Sequence, residues 1–588
     1  MSYRAPVRDM MFVIRELAGI DAVARLPGFE DAGEDTAQAV LEEAARFNEG
    51  VVAPLNRIGD QQPSALKDGV VATTPGFKDA FRAFAEGGWQ GLQHPTDFGG
   101  QGLPKTIGFA CTEMLNSANL SFALCPLLTD GAIEALLTAG SPEQQQTYIP
   151  PMISGAWTGT MNLTEPQAGS DLAAVRTRAE PQPDGSYKVF GTKIFITYGE
   201  HDMADNIVHL VLARVTGAPE GVKGISLFIV PKVLADGTRN DVHCVSLEHK
   251  LGIKASPTAV LQYGDHGGAT GYLVGQENQG LAYMFVMMNA ARYAVGMQGV
   301  ALAERAYQQA VTYARDRVQG RAVDGSTPAG GGIVHHPDVK RMLLTMRAFV
   351  EGCRAMAGVA AAAYDAAHAH PDEATRAQNQ AFYEFMVPLV KGFSTEMSLE
   401  VASIAVQVHG GMGFIEETGV AQHWRDSRIT TIYEGTNGIQ AMDLVGRKIG
   451  LRGGAVVSGL FDEIASLDAR LAAHGELAGV RRELASALAT VRRTTQWIME
   501  HAGNPVDVLS GATPYLRQMS VLVGGHCMAL SALLVLEEGG LDAATARAKV
   551  GSARFFCEQL LPQVHGLEGA VTGDSSLLMS FDAGALAL

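Results

Sequence analysis

Helical periodicity runs through this chain except in one stretch, and that interruption constrains the fold more than any other feature. From about Thr158 to Gly275 it gives way to short β-branched runs bounded by turn residues: Tyr187-Lys188-Val189-Phe190, Lys193-Ile194-Phe195-Ile196, Val208 to Leu212 and Ile225 to Val230. Asp184-Gly185, just ahead of the first run, is a hairpin-turn signal. Upstream, from Asp35 to Ile153, apolar residues recur at helical spacing, as in Phe77-Ala80-Phe81-Phe84. Downstream, from about Gly280 to Lys448, long helices return, beginning with a nearly continuous apolar stretch from Leu281 to Val300. This order predicts an α+β chain: an N-terminal helical domain, a middle antiparallel β domain and a C-terminal helical bundle. The segment beyond Gly450 is helical again, with breaks at Gly475, Gly503-Asn504-Pro505, Gly511-Ala512-Thr513-Pro514 and Gly539-Gly540, and reads as an additional C-terminal helical extension. The expected division is 1–34 as an N-terminal extension, 35–157, 158–275 and 276–450 as the three domains, and 451–588 as the additional helical domain.

Charge and cysteine usage narrow the function. Lys and Arg number 45 against 62 Asp and Glu, a formal net charge of −17, which argues against nucleic acid or anionic lipid as a general partner. The six cysteines lie at wide spacings with no Cys-x-x-Cys, so neither a disulfide framework nor a metal site is expected, and a cytoplasmic, reducing location fits. Arg4, Arg8, Asp9, Arg15 and Glu16 interrupt any secretory core at the N-terminus. Met519 to Leu536 is long enough to span a bilayer and carries no formal charge. It holds Ser520, Gly524, Gly525, His526 and Ser531, and reads as a buried bundle helix, not a membrane span.

Three segments break local propensity. Leu163-Thr164-Glu165-Pro166-Gln167-Ala168-Gly169-Ser170-Asp171 enters the β region with small and hydroxyl residues whose backbone N–H groups could meet a planar or phosphorylated ligand; alone, it is also a loop capped by Ser170. Gln407-Val408-His409-Gly410-Gly411-Met412-Gly413-Phe414 ends an apolar helix in a glycine cluster, which suits close backbone approach to a phosphate and equally suits a plain glycine C-cap and turn. In Ile429-Thr430-Thr431-Ile432-Tyr433-Glu434-Gly435-Thr436-Asn437-Gly438 a single carboxylate sits between an apolar run and a flexible turn, where desolvation would lift its pKa toward the range of a useful base. The alternative is a helix-start glutamate facing solvent. Arg292 interrupts the apolar stretch from Leu281 to Val300 with no acidic residue nearby in sequence, so a buried partner or an anionic ligand is expected.

Taken in order, Thr164-Glu165-Pro166 with Gly169-Ser170-Asp171, Gly191-Thr192-Lys193-Ile194-Phe195-Ile196-Thr197, Gln407-Val408-His409-Gly410-Gly411, and Arg425-Asp426 leading to Tyr433-Glu434-Gly435-Thr436 resemble the FAD-dependent acyl-CoA dehydrogenases over residues 35 to 450. The helical tail and the opening Tyr3-Arg4-Ala5-Pro6-Val7-Arg8-Asp9-Met10-Met11 resemble a long-tailed bacterial subgroup of that family, whose substrates include 3-methylmercaptopropionyl-CoA. The resemblance implies a flavoprotein oxidoreductase of fatty-acid metabolism and β-oxidation, with FAD at the junction of the three domains. By similarity, Met161, Leu163, Thr164, Gly169, Ser170, Phe195, Ile196 and Thr197 lie against the flavin and its ribityl-phosphate, and Thr436, Asn437 and Gly438 complete that site. Arg317, Gln407, Gly410 and Gly411 meet the pyrophosphate and adenosine side, partly from a neighbouring subunit, so a homo-oligomer is implied, a dimer first. Ser170, Asn289, Arg292, Glu434 and Gly435 belong to the acyl-CoA site. The chain departs from the family with Phe195 where Trp is usual, Val318-Gln319-Gly320 after Arg317, Asn289 in place of an acid, and Gly438 where Gln is frequent.

The implied reaction is α,β-dehydrogenation of a short to medium acyl-CoA to the trans-2-enoyl-CoA. It needs a base for the weakly acidic α proton and a two-electron acceptor for the β hydride, and no side chain can be that acceptor. Glu434 is the matching base; the position on the long helix that carries it in some relatives is Ala291. Electron-transfer flavoprotein is the implied electron acceptor. An acyl-CoA oxidase passing electrons to oxygen, and a non-enzymatic flavin or CoA-ester binding relative, are the alternatives. The stripe Met284, Met287, Met288 and Met297 could line an adaptable acyl channel or simply be helix core.

Overall fold

A computed structural model of the chain describes residues 3–328 and 330–587, with Val286, Met287 and Asn289 given by their backbone alone. The N-terminal block is built from α1 (Glu34–Phe47), α2 (Phe77–Glu86), α3 (Lys105–Ala118), α4 (Leu120–Ala139) and α5 (Pro142–Ile153). Helix α5 starts where Ser141-Pro142-Glu143-Gln144 requires: the Gln144 amide donates to Ser141 Oγ (3.2 Å) and the Ser141 amide to Gln144 Oε1 (3.0 Å). A small ribbon, Ala65–Lys67 against Val70–Ala72, had no clear signal in the sequence.

The middle block holds β1 (Trp157–Asn162), β2 (Arg178–Pro181), β3 (Tyr187–Thr197), β4 (Asn206–Val215), β5 (Ser226–Pro231), β6 (Val242–Leu247), β7 (Thr258–Tyr263) and β8 (Ala269–Val274). Strands β8, β5, β4, β2 and β3 follow in that order, and β8 pairs back onto β3 to close the ring; β7 and β6 extend it from β3. Most pairings are antiparallel, including the β2–β3 hairpin turned at Gly185. The all-antiparallel expectation needs one correction: β1 and β2 run parallel to β4. Parallel neighbours require a crossover connection, supplied here by the long stretch from Leu163 through β3.

Three long helices carry the site: α6 (Gly280–Asp316), α7 (Pro337–Ala369) and α8 (Glu373–Val408), followed by the short α9 (Val420–Ser427) and α10 (Asn437–Asp443). Helices α6 and α8 touch backbone to backbone. A Cβ on Gly296 would lie 2.6 Å from Val390 Cγ1, and one on Gly299 2.5 Å from the carbonyl carbon of Ser394. Because rigid backbone stands opposite Gly299, Gly299→Val is expected to cost about 1–3 kcal/mol or more through overpacking. Thermal unfolding measures it, and a variant as stable as the parent would show that the two helices can part.

The extension consists of α11 (Ala455–Ala472), α12 (Ala478–Glu500), α13 (Ala512–Glu538), α14 (Ala543–Phe555) and α15 (Gln563–Thr572). Its core is continuous with that of α6 to α8. The first 34 residues are no loose appendage either, since Met10, Met11, Phe12, Val13 and Ile14 are buried in the same core. A buried charge network joins these parts around Arg354 of α7. Its guanidinium donates to Glu113 of α3 (2.9 Å), Glu304 of α6 (2.8 Å) and Asp9 (2.6 Å), and Asp9 also accepts from Lys549 of α14. Among the described residues, α4 and α13 are long and apolar enough to cross a membrane, yet 78% and 83% of their most apolar windows are buried inside the protein. The six cysteines are all buried and free.

Candidate active site

The Leu163 to Asp171 loop is pinned through Glu165. Glu165 and Ala168 exchange backbone hydrogen bonds of 3.0 Å. The Glu165 carboxylate accepts from Lys193 Nζ (2.8 Å) and from the Arg176 and Thr177 amides (2.8 and 3.0 Å), and Lys193 also donates to Leu163 O (2.9 Å). Burial opposes the charge on Glu165, but Lys193 and those amides outweigh it and hold the carboxyl below its ordinary pKa; burial pushes Lys193 down to about 8. Gly169 and Ser170 stand exposed at the loop tip, Met161 is buried at its root, and Leu163 and Thr164 are half-buried. Lys193 is the pin, a role its place in a motif did not reveal.

Two residues later the pairing of β3 with β7 slips between Lys193 and Ile196, a bulge. Phe195 sits in it with φ 60° and is 58% exposed. A large aromatic held in the left-handed region and turned to solvent points to a site the ring is meant to face. Ile196 is buried beneath it and Thr197 is half-buried. Tyr198, also left-handed (φ 51°), anchors the segment by donating to Ser121 O of α4 (2.7 Å).

Tyr198 belongs to an apolar cluster with Phe122 and Leu124 of α4, Ile253, and Leu302 of α6, against which Ile429 and Tyr433 also pack. This cluster brings the Phe195 bulge and the Glu434 turn together. Arg425-Asp426 holds the turn from outside: Arg425 donates two hydrogen bonds to the Asp60 carboxylate (2.7 and 2.6 Å) and Asp426 Oδ1 accepts the Ile253 amide (2.6 Å). That motif is structural. Gly252 permits the close approach, since a Cβ there would lie 2.4 Å from Arg425 O.

Glu434 occupies the left-handed region (φ 54°) with Gly435 after it (φ 84°), and its amide makes no hydrogen bond to a described residue. The residue as a whole is half-buried. Desolvation lifts its pKa above the ordinary value, opposed by Arg292 and Lys391. Thr436 caps α10 through Ile439 N (3.3 Å). The Asn437 side chain faces α8 instead of open space: Nδ2 donates to Gly392 O, Thr395 Oγ1 and Glu396 Oε1, and Oδ1 accepts from Lys391 Nζ (2.8 Å). Gly438 is exposed.

Arg292 is 4% exposed and packs over Gly435. The expected buried partner is Asp443, far away in sequence and at 3.7 Å a long contact; the other oxygen of Asp443 accepts from Arg447 (2.6 Å). Among the described residues Arg292 Nε has no hydrogen-bond partner although it is buried, which leaves it a donor a ligand can use. Lys391 escaped the sequence reading although its signal matched that of Arg292, a lone cation in the apolar run Val387-Pro388-Leu389-Val390-Lys391-Gly392-Phe393. It is fully buried, and burial brings its pKa down to about 7. The side chain of Asn289 lies outside the described residues. Met284 and Met297 are buried core and Met288 is half-buried, so these three read as packing, while the side chain of Met287 lies outside the described residues.

Arg317, Gln407, Gly410 and Gly411 form a second, separate group. The His409 ring stacks on Tyr313 (4.2 Å between centroids), which sets the glycine loop beside the end of α6 where Arg317 stands exposed. At 1.5 Å per residue, Gln407 lies about 24 Å along α8 from Lys391, and Arg317 about 37 Å along α6 from Arg292. Within one chain these residues do not meet the Glu434 turn. Around them Met412, Phe414 (88% exposed) and Ile415 turn apolar side chains outward. Away from both groups, Asp241, His243 and His266 bring potential metal-ligating atoms within 4.8 Å of one another, but the Asp241 carboxylate already accepts the His266 and Gly268 amides.

Family models match nearly the whole chain: acyl-CoA dehydrogenase N-terminal domain over 34–156, middle domain over 160–266 and C-terminal domain over 278–449, then acetyl-CoA dehydrogenase C-terminal like over 460–582. The chain is 51% identical to 3-methylmercaptopropionyl-CoA dehydrogenase of Ruegeria pomeroyi, covering 99% of this chain and 100% of that one. It is 34% identical to the broad-specificity linear acyl-CoA dehydrogenase FadE5 of Mycobacterium tuberculosis, covering 99% of each. In fold it is similar to an acyl-CoA dehydrogenase from Bacillus anthracis complexed with FAD (TM-score 0.76, 22% identity, 98% of this chain and 93% of that one).

Proposed function

The chain belongs to the acyl-CoA dehydrogenase family, and from that premise we propose that it catalyses FAD-dependent α,β-dehydrogenation of a short to medium acyl-CoA, with Glu434 as the base. One observation carries this reading: a half-buried glutamate in a left-handed turn, its amide without a partner among the described residues and its carboxylate backed by Arg292 and Lys391. Glu434 takes the α proton, and its free amide N–H holds the thioester oxygen as negative charge develops there. Bound FAD supplies the two-electron acceptor for the β hydride. The residues that suit it are the exposed loop tip at Gly169 and Ser170, the Phe195 bulge and Thr436, while Arg292 Nε offers an unsatisfied donor at the acyl site. Asn437 contributes by fixing the turn to α8, with only its backbone left to offer a ligand.

Arg317, Gln407, Gly410 and Gly411 lie too far along the helices to serve the same FAD, so they complete the site of a partner protomer, and the outward Phe414 belongs to that contact. The expected species is a yellow homodimer with one FAD per chain, checked by the flavin spectrum and light scattering. A fully active monomer contradicts the shared site. Likeness to the Ruegeria enzyme favours 3-methylmercaptopropionyl-CoA among the substrates. Electron-transfer flavoprotein is the proposed acceptor in place of oxygen. Anaerobic bleaching of the flavin by a panel of acyl-CoA esters tests the reading, and no bleaching by any of them would refute it.

A further inference from the structure

Asp241, His243 and His266 meet outside the site described above. Asp241 stands just ahead of β6, the edge strand of the sheet, His243 is the second residue of that strand, and His266 lies in the turn from β7 to β8. In register, His243 faces Gln262 and Ile196 faces Ala259, so three residues of β7, about 10 Å, separate the group from the Phe195 bulge.

The frame around the group is fixed by hydrogen bonds. Asn240, 3% exposed, donates to Pro231 O and Thr270 O (2.9 Å each) and accepts the Thr270 amide (2.8 Å). The next residue, Asp241, accepts the Gly264 amide at its carbonyl oxygen (2.9 Å). The His266 and Gly268 amides (2.7 and 3.1 Å) both go to Asp241 Oδ2, which sets the plane of the carboxylate and leaves Oδ1 to the two rings. Outer hydrogen bonds of this kind orient carboxylates that ligate metals. Burial opposes the charge on Asp241, but these amides and the His266 ring outweigh it and hold the carboxyl below its ordinary pKa.

From Oδ1 to His243 Nε2 is 3.3 Å and to His266 Nδ1 3.2 Å. Both separations match the edge of a tetrahedron, about 3.3 Å, around an ion bonded at about 2.0–2.1 Å. Hydrogen bonding accounts for them less well. The His266 contact is long beside the roughly 2.7–2.9 Å usual for a charged pair, and the His243 ring makes no hydrogen bond to a described residue. All three ligand atoms lie within 4.8 Å of one another. Rotation of the His266 side chain, 76% exposed, brings the two imidazoles to the same edge length.

We propose that Asp241, His243 and His266 bind one zinc-class divalent ion through Oδ1, Nε2 and Nδ1, with water completing its shell, and that the ion ties edge strand β6 to the β7–β8 turn. Two imidazole nitrogens and one carboxylate oxygen suit such a metal better than Mg²⁺ or Ca²⁺, which favour shells of oxygen alone. No cysteine takes part, so cysteine spacing carries no sign of the site.

The test uses untagged, flavin-loaded protein, stripped with a chelator and titrated with zinc chloride by calorimetry, with magnesium chloride as the comparison. The wild type is expected to take up one Zn²⁺ per chain with a Kd of about 10 μM or tighter, to ignore Mg²⁺, and to melt at a higher temperature in saturating Zn²⁺, since the ion binds the folded state. His266→Ala and His243→Gln should each weaken binding at least about tenfold and abolish the rise in Tm, whereas His368→Ala, at an exposed position on α7, should change neither. A weaker wild-type Kd, less than half an ion per chain at saturation, or unchanged affinity in either ligand variant overturns the proposal; if one variant is not recovered folded, the other decides. Binding is scored without turnover, so its failure leaves the dehydrogenase reading untouched.

Discussion

Glu434→Gln is expected to retain FAD and acyl-CoA binding while slowing flavin reduction by acyl-CoA by about 10²–10⁴-fold or more, the range a single general base supplies. The substitution keeps the size of the side chain and its hydrogen-bonding reach and removes only the proton acceptor. Among the described residues no neighbouring carboxylate is free to replace it, because Asp443 is engaged by Arg447 and Arg292, and Glu396 accepts from Asn437. Since burial raises the pKa of Glu434, the wild-type rate should climb with pH through a midpoint above the ordinary glutamate value, where the carboxyl loses its proton. The variant should lack that limb. Anaerobic stopped-flow across pH measures both, and a rate within a few-fold of wild type would move the base elsewhere.

Arg354→Met is expected to destabilise the protein by about 3–5 kcal/mol, the cost of leaving buried charges without their partner. Methionine fills the space, but Glu113, Glu304 and Asp9 would then face one another with Lys549 alone to offset them. Burial already holds the Glu113 pKa up, and removing its cation raises it further. A carboxyl whose folded pKa exceeds its unfolded one contributes stability below the unfolded value and loses it as pH rises through the folded value. The variant should therefore regain stability toward acid, opposite to an enzyme losing paired carboxylates. Denaturant unfolding at pH 5 and pH 8 tests this, and a loss under about 1 kcal/mol would mean that water reaches the network.

The order of helices, sheet and helices was legible because periods of 3.6 and 2 are local properties of the chain. Ser141 and the Asp184-Gly185 turn were legible for the same reason, and Glu434 and Arg292 stood out as single charges in apolar surroundings. What escaped depends on residues distant in sequence. The parallel pairing of β1 with β4 leaves no mark on either strand, and burial of Met10 to Ile14 depends on helices hundreds of residues away. Asp443 beneath Arg292, and the joining of His266 to Asp241 and His243 at one corner of the sheet, follow from tertiary contacts alone. Motif order alone does not show how far the helices set Gln407 and Arg317, expected at the pyrophosphate and adenosine side, from the Glu434 turn.

The bond from Asp9 to Lys549 spans 540 residues, and its bond to Arg354 spans 345. During translation, Lys549 leaves the ribosome nearly 200 residues after Arg354, about 10–40 s later at about 5–20 residues per second. Throughout that interval the N-terminal arm cannot complete its clamp, and the face of α7 that α13 and α14 will cover stays open to water. Native closure of this molecule is thus a late event in its synthesis, and a nascent chain halted before Lys549 presents an apolar surface with a strong tendency to aggregate.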